Sequence, residues 1–202
     1  RPEKGFPLTI RLAHRLQRIQ PSATVSITAR AGRLREAGRD IIVLSVGEPD
    51  FPTPEHIKAA AREALARNDT KYTAVDGSRA LKEAVVIKFE RDNGLHYTPD
   101  QVLISSGAKQ SCYNACLALL EPGDEAIVLA PYWVSYPDMV RLADAEPVII
   151  DSTARSGFKI TAEQLETAIT PRTRLVILNS PCNPTGAVYT RANWAALGEV
   201  LR

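Results

Sequence analysis

Apolar positions along the chain fall into short runs separated by helical patterns. Ile41 to Leu44 is a wholly apolar run that predicts a strand, and Gly47-Glu48-Pro49-Asp50-Phe51-Pro52-Thr53-Pro54 is turn chemistry throughout. Before it, the pattern predicts a helix from Ser22 or Thr24 to Ala37, closed by Gly38. After it, Thr53 is the expected N-cap and Pro54 the expected first helical residue. Ile57, Ala61, Ala64 and Leu65 would then share one helix face. A second helix, capped by Ser78 and ended by Gly94, aligns Leu81, Val85 and Phe89.

Beyond Gly94 the order becomes regular. Strands are predicted at Val102–Ser105, Ala126–Leu129, Val148–Ile150 and Leu175–Leu178. Helices are predicted at 108–120, 133–143 and from the capping box Thr161-Ala162-Glu163-Gln164 to about Ile169, with a last one after the loop 179–189. Short, wholly apolar strands alternating with helices mean a sheet buried on both faces and largely parallel. The expected fold is α/β: a three-layer α/β/α body around a mostly parallel sheet, with an N-terminal helical arm. Residues 1–45 are read as the arm and 46–202 as the body.

Composition narrows the class. At 45% hydrophobic and 24% charged, the 202 residues are those of an ordinary globular chain, not a disordered tail, a collagen-like repeat or a disulfide miniprotein. No run of about 18 apolar residues suggests a membrane helix. The basic stretch Arg1 to Arg18 has no continuous apolar segment of the secretory kind. A net charge of +2 is too small for a nucleic-acid footprint built on charge alone. Cys112, Cys116 and Cys182 read as reduced thiols of a cytosolic protein. Cys112 and Cys116 lie at i and i+4 on one predicted helix with no histidine placed to complete a metal set, so burial is the expectation for them. The chain starts with Arg1, has Met139 as its only methionine and ends within a helical pattern, so it is expected to belong to a longer protein.

Three loops follow predicted strands, the place where parallel sheets hold ligands. Ser105-Ser106-Gly107-Ala108-Lys109 runs from a strand into a helix, and backbone N–H groups at such a start suit a phosphate; a tight packing turn is the plain alternative. The stretch lacks the spacing of a P-loop or of Gly-x-Gly-x-x-Gly. Ser106 and Lys109 also fit Ser-x-x-Lys, an acyl-transfer pattern, but its companion motifs are missing. In Pro131-Tyr132-Trp133-Val134-Ser135-Tyr136, Trp133 offers a plate for a planar ring, or is a rim aromatic. In Asn179-Ser180-Pro181-Cys182-Asn183-Pro184-Thr185-Gly186, two prolines and a glycine stiffen the backbone around the Asn183 amide. Together the three suit a flat, phosphorylated, aromatic cofactor.

These segments, with Pro21-Ser22-Ala23-Thr24, Gly47-Glu48-Pro49-Asp50-Phe51 and Lys71-Tyr72, make the chain resemble the class I, fold-type I pyridoxal-phosphate aminotransferases, and the bacterial aspartate aminotransferase branch in particular. The resemblance implies pyridoxal 5'-phosphate as cofactor and transamination between an amino acid, aspartate, and a 2-oxo acid, 2-oxoglutarate. It implies that Gly107, Ala108 and Lys109 hold the cofactor phosphate, that Trp133 stacks on the ring, and that Asn183 bonds the ring hydroxyl oxygen and the substrate carboxylate. Gly47 would touch the substrate, Lys109 would help select it, and Tyr72 would reach the phosphate of a second subunit, making the protein a cytoplasmic homodimer. In the family's order the Schiff-base lysine comes later than these motifs. The resemblance therefore places it beyond Arg202, gives this chain no catalytic residue of its own, and implies that the chain alone is inactive. Cys182, where many relatives carry Asn, is expected to be silent. The reading kept beside this one is a non-catalytic α/β domain that binds a ligand or partner.

Overall fold

The computed structural model describes residues 11–45 and 47–202. The basic, irregular opening read for residues 1–10 lies outside the described residues. The chain divides into two compact units, one of Thr24–Gln110 and one of residues 11–23 with Ser111–Arg202.

The second unit is built on one strand. Glu-Ala-Ile-Val-Leu forms β1 (Glu125–Leu129), whose Ala126, Ile127 and Val128 have no exposed surface. It pairs in parallel with β2 (Glu146–Ile150) on one side and β3 (Thr173–Ile177) on the other, giving the order β2-β1-β3. Alternation along β1 sends neighbouring side chains to opposite faces. Ala126 joins a core with Cys116 of α4 (Ala108–Leu119) and Met139 and Val140 of α5 (Ser135–Leu142). Ile127 joins another with Leu165 of α6 (Ala162–Ala168) and Leu197 of α7 (Arg191–Val200). Helices thus cover both faces, and the three-layer α/β/α arrangement with a parallel sheet stands. Cys116 is buried in the first core, with Cys112 half-buried against it.

Local chemistry sets the helix ends. Thr161 Oγ1 accepts the Gln164 N–H at 3.2 Å and Gln164 Oε1 accepts the Thr161 N–H at 3.0 Å, the expected capping box. Thr190 and Asn193 do the same at α7. The buried Glu125 carboxylate accepts from Thr170 Oγ1 at 2.6 Å and pairs with Arg172.

A short 3₁₀ turn, His14–Arg18, packs on the end of α5. Arg18 donates to Ala145 O at 3.1 Å and Glu146 Oε2 at 3.0 Å, and Arg15 pairs with Asp144 at 3.2 Å. The same guanidinium groups reach the last turn of α5, Arg15 donating to Leu142 O and Arg18 to Arg141 O, each at 3.4 Å, where a cation also suits the helix dipole. Arg18→Ala should therefore lower stability by about 1–2 kcal/mol, read from urea unfolding. A loss indistinguishable from zero would make the contact incidental.

The first unit holds α1 (Ala23–Glu36, its first residue counted with the other unit), α2 (Glu55–Ala66) and α3 (Arg79–Asn93). At α3, Ser78 Oγ accepts the Leu81 N–H at 3.4 Å and Gly94 ends the helix with φ 64°, as expected. Four expectations are corrected. Ile41–Leu44 and Val102–Ser105 form no strand, because neither joins a ladder with a second strand among the described residues. α2 starts at Glu55, with Pro54 rather than Thr53 at the cap position, because the Pro54 carbonyl already accepts the amides of Ile57 and Lys58. Its apolar face is not packed: Ile57 and Leu65 are 51% and 65% exposed. α5 starts at Ser135, not at 133, since Trp133 lies in the loop that leaves β1.

Candidate functional site

In the unit built on the sheet, two loops leave the carboxyl ends of the adjacent strands β1 and β3. Between them is a crevice lined by Pro131, Tyr136, Asn179, Cys182, Asn183 and Tyr189, among others. The loop after β3 is held by its own side chains. Asn179 Oδ1 accepts the Asn183 N–H at 2.7 Å, and the Cys182 and Gly186 amides donate to Ala187 O and Cys182 O at 2.9 and 2.7 Å. Ser180 Oγ accepts the Tyr189 N–H at 3.0 Å, and Tyr189 Oη accepts the Ile160 N–H at 2.9 Å. The Asn183 backbone is thus fixed while its side chain remains exposed at the crevice.

Trp133 is half-buried, packs on the first core and meets Tyr136 edge-on, with ring centroids 5.4 Å apart. The Cys182 thiol donates to Pro131 O at 3.3 Å, joining the Trp133 loop to the Asn183 loop. Trp133 and Asn183 therefore belong to one fixed pair of loops. Burial pushes the Tyr136 and Tyr189 phenols above their usual range, so both stay neutral at ordinary pH.

The other unit carries the turn before α4. Gly107 has φ +80°, a left-handed conformation that glycine adopts without strain, and a Cβ built there meets nothing within 4 Å. Its amide turns back to Ser105 O at 2.8 Å. Ala108 opens the helix, where an amide has no acceptor within the helix. Ser105 Oγ is buried and has no hydrogen-bond partner among the described residues. An open space, a helix start and an orphaned hydroxyl fit a phosphate group. Lys109 lies exposed on the first turn of α4. Gly47 lies exposed on a loop, and Tyr72 is fully exposed.

Sequence reasoning did not find Asn179, Ser180, Tyr189 or the Cys182 thiol as supports of this site. Asn179 could have been found: a side-chain amide four residues before Asn183, in a Pro-rich loop, is placed to take up a backbone amide.

The family model for class I and class II aminotransferases matches residues 39–202. The chain belongs to that family. The aspartate/prephenate aminotransferase of Cereibacter sphaeroides is 59% identical to it over 190 residues, 94% of this chain and 48% of the relative. The aspartate aminotransferase of Rhizobium meliloti is 51% identical over 189 residues, 94% of this chain and 46% of the relative. The crystal structure of an aspartate aminotransferase from Rhizobium meliloti superposes with a TM-score of 0.91 over 96% of this chain and 48% of that one, at 50% identity. The Thermus thermophilus aspartate aminotransferase with maleate gives a TM-score of 0.92 at 48% identity, over 95% of this chain and 50% of that one. This aminotransferase chain thus spans about half the length of the curated relatives it matches.

Proposed function

We propose that this chain carries the cofactor-phosphate turn, the ring-stacking loop and the substrate amide of a pyridoxal-phosphate aminotransferase that moves an amino group from aspartate to 2-oxoglutarate. The observation that supports it most is the turn before α4, with Gly107 at φ +80° and open space above it, in a chain of the aminotransferase family. Residues 1–45 are assigned to an arm and part of a small domain, and 46–202 to an incomplete cofactor-binding large domain.

Pyridoxal phosphate, when bound, supplies a carbonyl that takes up the amino group and a ring that stabilises negative charge on the substrate carbon. Gly107, Ala108 and Lys109 hold its phosphate, the backbone close to the anion and the ammonium beside it. Trp133 covers one face of the ring and excludes water there. Asn183 donates to the ring hydroxyl oxygen and holds the substrate α-carboxylate, and Gly47 meets the substrate through its backbone. Tyr72 donates to the phosphate of a second copy, which makes the active form a homodimer. The amine that binds the cofactor and moves the proton belongs to residues after Arg202, so the present residues bind and orient rather than catalyse. In this reading the enzyme works in the cytoplasm, in amino-acid metabolism. Among the described residues no helix is long and apolar enough to cross a membrane.

The test is transamination by the protein expressed from its full reading frame. Oxaloacetate and glutamate should form in equal amounts from aspartate and 2-oxoglutarate, only with pyridoxal phosphate present. No product under these conditions contradicts the proposal. In this reading the Lys109 ammonium also meets the second carboxylate of aspartate. Lys109→Ala should lower kcat/KM for aspartate roughly tenfold more than for a neutral amino acid, the value of one charge-assisted hydrogen bond. Equal losses would restrict Lys109 to the phosphate or the fold.

A further inference from the structure

Among the described residues, the buried charged side chains are Glu125 and Lys82. Glu125 closes the entry to β1 and has no further role to explain. Lys82 is different. It is 6% exposed, in the first turn of α3, where a charged side chain ordinarily stays in water. An ammonium withdrawn from water needs an opposite charge against it. That charge is Asp76, in direct contact with Lys82 Nζ although its own side chain is 45% exposed. The ammonium holds the Asp76 carboxyl below the usual carboxylate range.

Asp76 is tied a second time. Its carbonyl accepts the Ile104 N–H at 3.0 Å. At the next residue, Gly77 has φ +109°, and a Cβ there would lie 2.4 Å from Ile104 Cγ1. The loop backbone therefore lies directly on Ile104. Ile104 leads without a break into Ser105, Ser106 and Gly107, and the chain four residues before Asp76 carries Tyr72. A pocket of about 290 Å³, lined by Ala74, Arg79, Pro99 and Asp100 as well as the pair, leaves the loop room to shift once the pair is broken.

We infer that Lys82 is a positioning residue for the cofactor phosphate. Through Asp76 it holds the 74–78 turn on Ile104, and so fixes both the Ser105–Ala108 turn and the loop that bears Tyr72. The inference rests on the proposed role of that turn as the phosphate seat. Lys82 itself touches neither cofactor nor substrate in this account.

The test measures dissociation constants for pyridoxal phosphate and for pyridoxal, which lacks the phosphate, by tryptophan fluorescence. It uses the protein expressed from its full reading frame and records melting temperature beside each constant. Lys82→Met removes the cation and keeps the stem. Asp76→Asn keeps the shape of a side chain nearly half exposed, so it remains informative where Lys82→Met fails to fold. Wild type should prefer pyridoxal phosphate. Both variants should cut that preference about tenfold while the pyridoxal constant stays within about twofold, as expected when a contact is misplaced rather than removed. Lys82→Arg should restore most of the preference. A lower melting temperature with an unchanged preference overturns the inference and leaves the pair purely structural. A wild type without any preference for the phosphorylated form overturns the phosphate reading itself, and the inference with it.

Discussion

Gly107→Ala should weaken pyridoxal phosphate binding by roughly 10- to 100-fold, the value of one or two hydrogen bonds to a charged group. The cause is local. At φ +80° an added Cβ is strained, at about 1–2 kcal/mol, but it meets no protein atom within 4 Å. The fold can take the methyl group, whereas an anion seated at the helix start cannot. Binding and stability should therefore separate: a large rise in the dissociation constant by fluorescence titration, and a small fall in melting temperature. Unchanged binding would show that the phosphate is held elsewhere.

Gly77→Ala should do the reverse, and more damage to the fold. At φ +109° the alanine is strained, and its methyl carbon would lie 2.4 Å from Ile104 Cγ1 and 2.7 Å from Ile104 Cβ. Neither atom is the far end of a flexible chain. Strain and overpacking together should remove roughly 3 kcal/mol from the unfolding free energy. Gly94 is the control. It has φ +64° with nothing within 4 Å of a built Cβ, so Gly94→Ala should cost only the backbone share, about 1 kcal/mol. Equal losses in urea melts would mean that Ile104 moves aside freely.

The sheet from Glu125 to Ile177 could be read in advance because each strand holds an apolar run bounded by turn residues, and α6 has its cap in the sequence; α5, which starts at Ser135 without a side-chain cap, is placed two residues early by its pattern. Ser78, Gly94 and the Thr161–Gln164 box act through neighbours a few residues away, and such chemistry is visible in one dimension. Ile41–Leu44 and Val102–Ser105 carry the same apolar signal without being strands. A strand is a property of two segments, and hydrophobicity reports the tendency to be buried, not the partner. Ile57 and Leu65 repeat the lesson on a helix: their spacing makes a face, but nothing in it says what covers that face.

The site divides in the same way. Trp133 and Asn183 stood out because both follow apolar strands, Trp133 as an aromatic plate and Asn183 as an amide in a loop stiffened by two prolines and a glycine. Lys82 did not, because a lysine in the first turn of a polar helix reads as solvated. Only the fold shows it withdrawn from water against Asp76. The Cys182 thiol likewise gains its role from Pro131, which is distant in sequence and adjacent across β1 and β3. Spacing finds residues that act from the end of an element. It misses those whose partner arrives through tertiary folding.

In the proposed function this chain binds and orients the cofactor while the reactive amine lies outside it. The protein expressed from its full reading frame, mixed with pyridoxal phosphate, reduced with borohydride and mapped by peptide mass, tests that claim directly. One stoichiometric pyridoxyl label is expected on a lysine after Arg202. No more than scattered, low labelling is expected at Lys4, Lys58, Lys71, Lys82, Lys88, Lys109 and Lys159. A stoichiometric label on any of those seven lysines, accompanied by transaminase turnover, would contradict it.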